Sequence, residues 1–317
     1  AVKRVLATLA SVASVVLLAG VASADPIGKL VERARLEIQP AGGKQIKQIT
    51  IDNPLGDVRV EGHDKPTIQI ESRKQGPDEE ALDRLRISLI PNPDGTVRIT
   101  TTADGGKEVK PLPRGAVRID LIVRAPRGAH VDATSSSGTL EVLNMDGGGE
   151  LDTASGKIAV QNMQGALSTH SLSGATQLSQ VFGTVDAQTL SSDLDLDSIS
   201  GERLTASVNK GQIAGRRVRS RYIELTTNDG KITFEGEAAL RSRLIISSMK
   251  GDVDVRLRRN GAMVVRARGV KVDMGTAVKA LADGWVESQL GSLQRGEHPS
   301  IVELRSHRGI VRFAIIP

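Results

Sequence analysis

Alternating apolar pairs return along the middle of this 317-residue chain at a nearly fixed interval. One series runs Leu140/Val142, Ile158/Val160, Thr176/Leu178, Leu194/Leu196, Ile213, Ile232/Phe234 and Val253/Val255, with first members 18, 18, 18, 19, 19 and 21 residues apart. A second series keeps step between them: Leu151/Thr153, Leu167/Thr169, Val185/Ala187, Leu204/Ala206, Ile223/Leu225 and Leu244/Ile246. Apolar residues at i and i+2 mark a pleated strand with one buried face, so the intervening Glu141, Lys157, Gln177, Asp195, Thr233 and Asp254 should point outward. Two short strands bury too little to stand alone, and stacking equivalent units solves that by joining their apolar faces into one core. The expected fold is all-β: a parallel β-solenoid, or β-helix-like stack, of coils of 18–21 residues with two short strands each.

Gly138, Gly156, Gly174, Gly211, Gly230 and Gly251 each fall two residues before a member of the first series, with Ser192 in that place once. They predict a column at one corner of the coil, where a positive φ or a close backbone approach demands glycine. The preceding Ser137, Ser155, Ser173 and Ser191 are expected to stack hydroxyls there against turn backbone.

Outside the repeat, "GDVRV" (56–60) and "PTIQI" (66–70) show the same pairs. "PDEEALDRLRISLI" (77–90) reads as a short helix capped by Asp78 and running into a strand. "DGTVRI" (94–99) and "AVRIDLIV" (116–123) read as adjacent antiparallel strands. "VELRSHRGIVRF" (302–313) copies "IELTTNDGKITF" (223–234), so the pattern resumes near the end, after an irregular stretch (256–300) with a short helix or loop around 276–290. The organisation expected is a leader (1–24), an N-terminal β portion with one short helix (25–125), regular repeats (126–255), and an irregular segment with a final capping coil (256–317).

The leader follows from Lys3 and Arg4, the apolar "VLATLASVASVVLL" (5–18) and the small residues Ala22-Ser23-Ala24, the pattern that signal peptidase accepts. Export to the periplasm or the extracellular space is the expectation, with no transmembrane segment in the mature chain. The aromatic residues are few (Phe182, Phe234, Phe313, Tyr222 and Trp285), so the core must be aliphatic, and the girdles of an outer-membrane barrel are missing. The chain has 0 cysteines, which excludes disulfides and thiolate metal sites. Without Lys3 and Arg4, the 42 basic residues fall to 40 against 37 acidic ones, but the charge is unevenly spread. Residues 131–210 are mainly acidic and 211–270 mainly basic, which suits head-to-tail assembly or an anionic envelope polymer as well as plain solvation.

At "NPLGDVRVEGHDKPTIQIES" (53–72), "VRIDLIVRAPRGAHVDATSSSGTLEV" (117–142), the recurring Ser-Gly turns and "VELRSHRGIVRF", the chain resembles the bacterial "putative-adhesin" domain family of unknown function. The resemblance covers most of 45–317. It implies a β-solenoid-like domain, export or envelope attachment, and an adhesive or envelope-stress role, and it supplies no catalytic residues.

Among candidate sites, Asp193, Asp195 and Asp197 share one outer strand face and could hold Ca²⁺, yet no EF-hand or calcium-roll motif surrounds them. The five histidines (63, 130, 170, 298 and 307) lack metal-site spacing. The arginines 216, 217, 219 and 221, then 256, 258, 259, 266 and 268, form a basic stripe without the aromatic platforms of single-strand nucleic-acid binding. The expectation is therefore a non-enzymatic envelope or secreted scaffold or adhesin with no cofactor and no catalytic or metal residues. Its partner would be a protein or an anionic polysaccharide of the envelope, with self-assembly open and no nucleic acid. The alternatives are a polysaccharide-active β-helix enzyme and an envelope-stress-sensing scaffold.

Overall fold

The computed structural model describes residues 15–19, 23–24, 30–39, 45–103, 115–292 and 298–317, and divides into two compact units, 1–159 and 160–317. Of the expected leader, residues 1–14 and 20–22 lie outside the described residues. Val15–Ala19 (β1) and Ser23–Ala24 (β2) both pair antiparallel with Leu30–Ile38 (β3).

The first unit continues through β4 (Gln48–Asn53), β5 (Val58–His63), β6 (Ile68–Gly76), the helix α1 (Glu79–Asp83), β7 (Leu85–Pro91), β8 (Thr96–Ala103), β9 (Arg118–Pro126), β10 (His130–Ser135), β11 (Leu140–Met145) and β12 (Gly149–Thr153). The strands form two stacks. In one, β8, β4, β10 and β12 run parallel in that spatial order, with β7 antiparallel at the outer edge. In the other, β9, β5 and β11 run parallel, and β6 and β3 follow antiparallel beyond β9. The coil of β4 and β5 thus sits between the coil of β10 and β11 and the pair β8 and β9. Contrary to the sequence reading, β8 and β9 are not antiparallel neighbours: each lies in a different stack, parallel to a strand of the 48–63 coil. The helix follows its sequence signal, with Asp78 Oδ1 accepting from Ala81 N at 2.8 Å and Ala81 and Leu82 buried.

The second unit takes up β13 (Ile158–Ser171), which begins just before the division, then β14 (Thr176–Ser191), β15 (Leu194–Lys210), β16 (Ile213–Asp229), β17 (Ile232–Glu237), β18 (Arg243–Ser248), β19 (Val253–Arg258), β20 (Met263–Arg268), β21 (Lys271–Asp273), β22 (Lys279–Ala280), β23 (Val286–Leu290), β24 (Ser300–Ser306) and β25 (Ile310–Ile316). Each two-strand coil from β13 to β16 is one extended run that bends at a left-handed non-glycine residue: Asn162, Gln180, Ser198 and Arg217, with φ between 53 and 57. The first apolar series stacks in parallel register, Leu194 on Ile213, Ile232, Val253 and Val311. The second does likewise, Leu204 on Ile223, Leu244, Val302 and Val265. All ten are buried. Phe234 fits this aliphatic tube because Gly215 and Gly236 flank it: a Cβ on Gly215 would lie 2.9 Å from its ring, and one on Gly236 3.1 Å.

The end of the chain departs from sequence order. β24 lies between β18 and β20, and β25 between β19 and β21, so the last coil fills a level that the chain had first passed over. Residues 256–300, expected to be irregular, contribute the outer coil of β20 and β21. The stretch around 276–290, expected as a short helix or loop, is the antiparallel pair β22 and β23 joined through a short 3₁₀ turn, Ala282–Gly284. Asp252 fastens the inserted coil, accepting from Ile310 N at 2.9 Å and from Arg312 Nη1 at 3.1 Å.

The glycine corner is set by proximity. A Cβ on Gly156 would lie 1.8 Å from the carbonyl oxygen of Gly138, and one on Gly251 1.8 Å from that of Gly230. The preceding Ser137, Ser155, Ser173 and Ser191 are exposed, and Ser155 Oγ donates to Ser136 O at 3.2 Å as expected of that column, but the glycine N–H groups are met by hydroxyls three residues before each glycine. Ser135 Oγ, Thr153 Oγ1, Ser171 Oγ, Ser248 Oγ and Ser306 Oγ accept from Gly138, Gly156, Gly174, Gly251 and Gly309 N at 2.8–3.0 Å.

Gly156→Ala should therefore cost about 3 kcal/mol, since backbone must move to admit the methyl group, whereas Gly128→Ala, with nothing within 4 Å, should change stability by less than about 0.5 kcal/mol. Thermal melts of the two variants measure this. The Ile310 N–H and Arg312 hold the Asp252 carboxyl below its usual range. A depressed acid stabilises above its unfolded pKa, near 3.9 for aspartate, and loses that contribution as pH falls through the folded value. Asp252→Asn should lower Tm at pH 7, and the gap to wild type should shrink progressively as pH falls below the unfolded aspartate value.

Candidate binding groove

In the first unit, the register of β3, β6, β9, β5 and β11 lays outward side chains in rows across five strands. Arg35 faces Glu71, Glu71 faces Ile122, Ile122 faces Arg59, and Arg59 faces Glu141. Two residues along, Arg33 faces Arg73 and Arg73 faces Asp120. Between these rows opens a groove of about 630 Å³ whose lining includes Arg33, Arg35, Arg73, Leu121, Ile122 and Val58.

Its charges form a chain of alternating sign. Arg35 meets Glu71 at 3.7 Å, Glu71 accepts from Arg124 at 2.8 Å, and Arg124 also reaches Glu61 at 3.2 Å. Glu61 pairs with Arg59 at 2.6 Å, and Arg59 with Glu141 at 3.1 Å. Beside it Arg118 bridges Asp120, at 2.6 Å, and Asp57. Asp57 in turn accepts from Thr139 N at 2.7 Å, and Asp120 from Asp57 N at 3.0 Å. The hydrogen bond to Glu71, with the fields of Glu71 and Glu61, raises the Arg124 pKa against partial desolvation, so this guanidinium stays charged. Every carboxylate named here is thus engaged by an arginine. Arg33 makes no ion pair among the described residues, and it stands directly across the strand pair from Arg73. Like charges in that position repel, and Arg33 is the groove guanidinium that no carboxylate offsets, beside the half-buried Ile122.

These residues come from five separated segments, and the sequence reading did not join them. The available signal was the alternation of charge with apolar residues in "VERARLE" (31–37), "VRVE" (58–61), "IESRKQ" (70–75) and "VRIDLIVR" (117–124).

The residues singled out from sequence lie elsewhere. Asp193 Oδ1 accepts from Gln212 N at 2.8 Å, which ties one coil to the next. Asp197 pairs with Arg217, whose Nε donates to Ser198 at 3.0 Å. Asp195 sits half-buried between them on the same strand. The arginine stripe is partly neutralised, through Arg219–Glu237 at 3.6 Å, Arg221–Glu202 at 3.5 Å and Arg266–Glu287 at 2.9 Å. Among the histidines, His63 Nδ1 accepts from Lys65 N at 3.0 Å, His130 Nδ1 lies 3.1 Å from Gly147 O, His170 is on β13, and His298 and His307 are exposed.

A sequence profile of the Toastrack DUF4097 family matches residues 46–273, from the groove-bearing coils to β21. The chain belongs to this family. The match bears out the resemblance to bacterial adhesin-like domains of unknown function, and the stacked coils are this Toastrack protein's version of the fold. Similar solved structures include a "putative cell adhesion protein" from Clostridium sporogenes (12% identity, covering 90% of this chain and 100% of that one, TM-score 0.27). Others are a "putative lipid binding protein" from Parabacteroides distasonis (12%, 89% and 97%, 0.47) and a "putative adhesin" from Bacteroides fragilis (12%, 90% and 97%, 0.39). At such identities and TM-scores these likenesses carry no functional inference. No curated protein matches the chain. Among the described residues, no helix is long and apolar enough to cross a membrane.

Arg124→Met should cost about 1–2 kcal/mol by leaving Glu61 and Glu71 without their shared partner in a half-buried network. The loss should be larger in low salt than in 1 M NaCl, as read from paired thermal melts.

Proposed function

We propose that this Toastrack protein is an exported, non-enzymatic scaffold or adhesin, and that the groove of its first unit binds an anionic polysaccharide of the cell envelope. The observation that carries this reading is Arg33, which makes no ion pair among the described residues, with Arg35 and Arg73 beside it on the groove wall and the half-buried Ile122 below. Guanidinium groups match carboxylate and sulfate oxygens in a planar fork, and apolar patches suit the faces of sugar rings. The leader-like pattern at 1–24 supports export. Glycoside hydrolysis needs one carboxyl group to donate a proton and a second to act as nucleophile or base. The groove carboxylates are engaged by arginines, which favours binding over turnover.

Isothermal titration of the full chain with a uronate polymer, and with a neutral dextran of similar size, tests this. Binding to the uronate alone is expected, weakened about tenfold or more by Arg33→Gln with Arg35→Gln and by 0.5 M NaCl. Equal binding of both polymers, or none, would reject the groove assignment. Release of new reducing ends from the uronate would reject the non-enzymatic one.

A further inference from the structure

The corner of the second unit that carries the glycine column projects one side chain per coil outward, two residues before each glycine or its equivalent. In stacking order these are Leu172, Leu190, Asn209, Asn228, Met249 and His307, and the shorter turn of the outermost coil places Val270 next to Gly309 at the same corner. Backbone contacts confirm the alignment. Ser191 N donates to Leu172 O at 2.9 Å, Met249 N to Thr227 O at 3.0 Å and His307 N to Ser248 O at 3.0 Å. Val270 N instead donates to Gly309 O at 3.1 Å, which sets Val270 beside the glycine column rather than level with His307. Three of these tips, and Val270 beside them, are large aliphatic groups left open to solvent: Leu172 is 58% exposed, Leu190 48%, Met249 47% and Val270 73%. At an inter-strand spacing of about 4.8 Å, the seven levels make a straight ridge of roughly 29 Å.

Cations flank this ridge in excess. Lys210, Arg268, Lys271, Arg305 and Arg308 lie on or beside the corner, are exposed, and make no ion pair among the described residues. Of the acids near the corner, Asp229 pairs with Lys250 at 3.0 Å and Asp252 with Arg312 at 3.1 Å. Among the described residues, Asp193 and Asp273 accept only from the Gln212 and Gly275 N–H groups, so two acids stand against five cations without an ion pair. The unspent charge is therefore positive. Arg305 and Arg268 stand directly opposite each other in parallel register, where like charges repel unless an anion lies between them.

We propose that this ridge is a membrane-contact edge that docks on a bilayer surface rich in anionic phospholipid. Basic side chains would meet the headgroup phosphates while Leu172, Leu190, Met249 and Val270 enter the interfacial layer. A tip one residue wide per coil is too narrow to bury the roughly 800 Å² per partner of a stable protein interface. A fluid headgroup layer closes around separate aliphatic tips and needs no matching relief, and anionic lipid attracts the flanking cations over about a Debye length.

The test is flotation of the full chain with unilamellar vesicles of phosphatidylglycerol and phosphatidylcholine, against vesicles of phosphatidylcholine alone. Leu172→Ser, Leu190→Ser and Val270→Ser are combined in one variant, and Arg305→Gln with Arg308→Gln in another. Circular dichroism confirms the fold of each. Preferential flotation with anionic vesicles is expected, reduced at least tenfold by either variant and by 0.5 M NaCl. Absence of flotation, flotation indifferent to lipid charge, or binding unchanged in both variants would overturn the proposal. So would self-association without vesicles that the serine variant abolishes, since the ridge would then belong to a second copy of the chain.

Discussion

Parallel hydrogen bonding between successive coils governs everything else in this protein. Each strand finds its partners one level above and below, about 4.8 Å away, so equivalent positions must superimpose level after level. At the tightest corner, backbone then lies on backbone. That is why a Cβ on Gly156, Gly230 or Gly251 would fall 1.8 Å from the carbonyl oxygen beneath it. The same constraint narrows the core, which accepts stacked Val, Ile and Leu readily, and admits Phe234 only where two glycines withdraw on either side. It also explains the serines and threonines placed three residues before the corner: buried beside the turn, they accept the glycine N–H groups that no strand can reach.

Periodicity made the coils legible, because inward residues repeat at the length of one turn around the tube. Ile158, Leu194 and Ile232 are buried as their spacing requires. What periodicity does not encode is the level that each coil occupies. The segment 302–313 matches 223–234 in pattern, yet nothing in that match says that β24 and β25 slip beneath β20 and β21. Likewise β8 and β9 read as neighbours because they are close in sequence, whereas pairing with the 48–63 coil separates them into two stacks. The left-handed bends were hidden for another reason. Asn162, Gln180, Ser198 and Arg217 share a backbone conformation but no side-chain type, and a glycine signal is absent there.

The groove was invisible in sequence because its chemistry exists only across strands. Arg124 is one charged residue in a β-pattern until register places Glu61 and Glu71 on either side of it. The aspartates at 193 and 197 show the converse. They looked like a cation site along the strand, but their partners lie one coil away, in the Gln212 N–H and Arg217. In a stack of coils the neighbours that matter are a full turn away in sequence, so clusters read along the chain mislead, and clusters read at the interval of one turn do not.

That geometry also gives a criterion for where function resides. An outward side chain meets its counterparts on adjacent levels at close range, so a sequence under selection for stability alone should alternate sign from strand to strand, as Arg35, Glu71, Arg124, Glu61, Arg59 and Glu141 do. Departures from alternation cost energy without a ligand. They include Arg33 opposite Arg73 in the first unit and Arg305 opposite Arg268 in the second. With the opposite sign, Asp132 stands opposite Glu150, where burial and the field of Glu150 raise the Asp132 pKa. Both arginine pairs adjoin apolar side chains that folding leaves partly or wholly open, the half-buried Ile122 in one case and the aliphatic corner tips in the other. Repulsion and exposed apolar area are separate penalties, and an anionic partner with an apolar face relieves both at once, which is the common chemistry of acidic sugars and phospholipid surfaces.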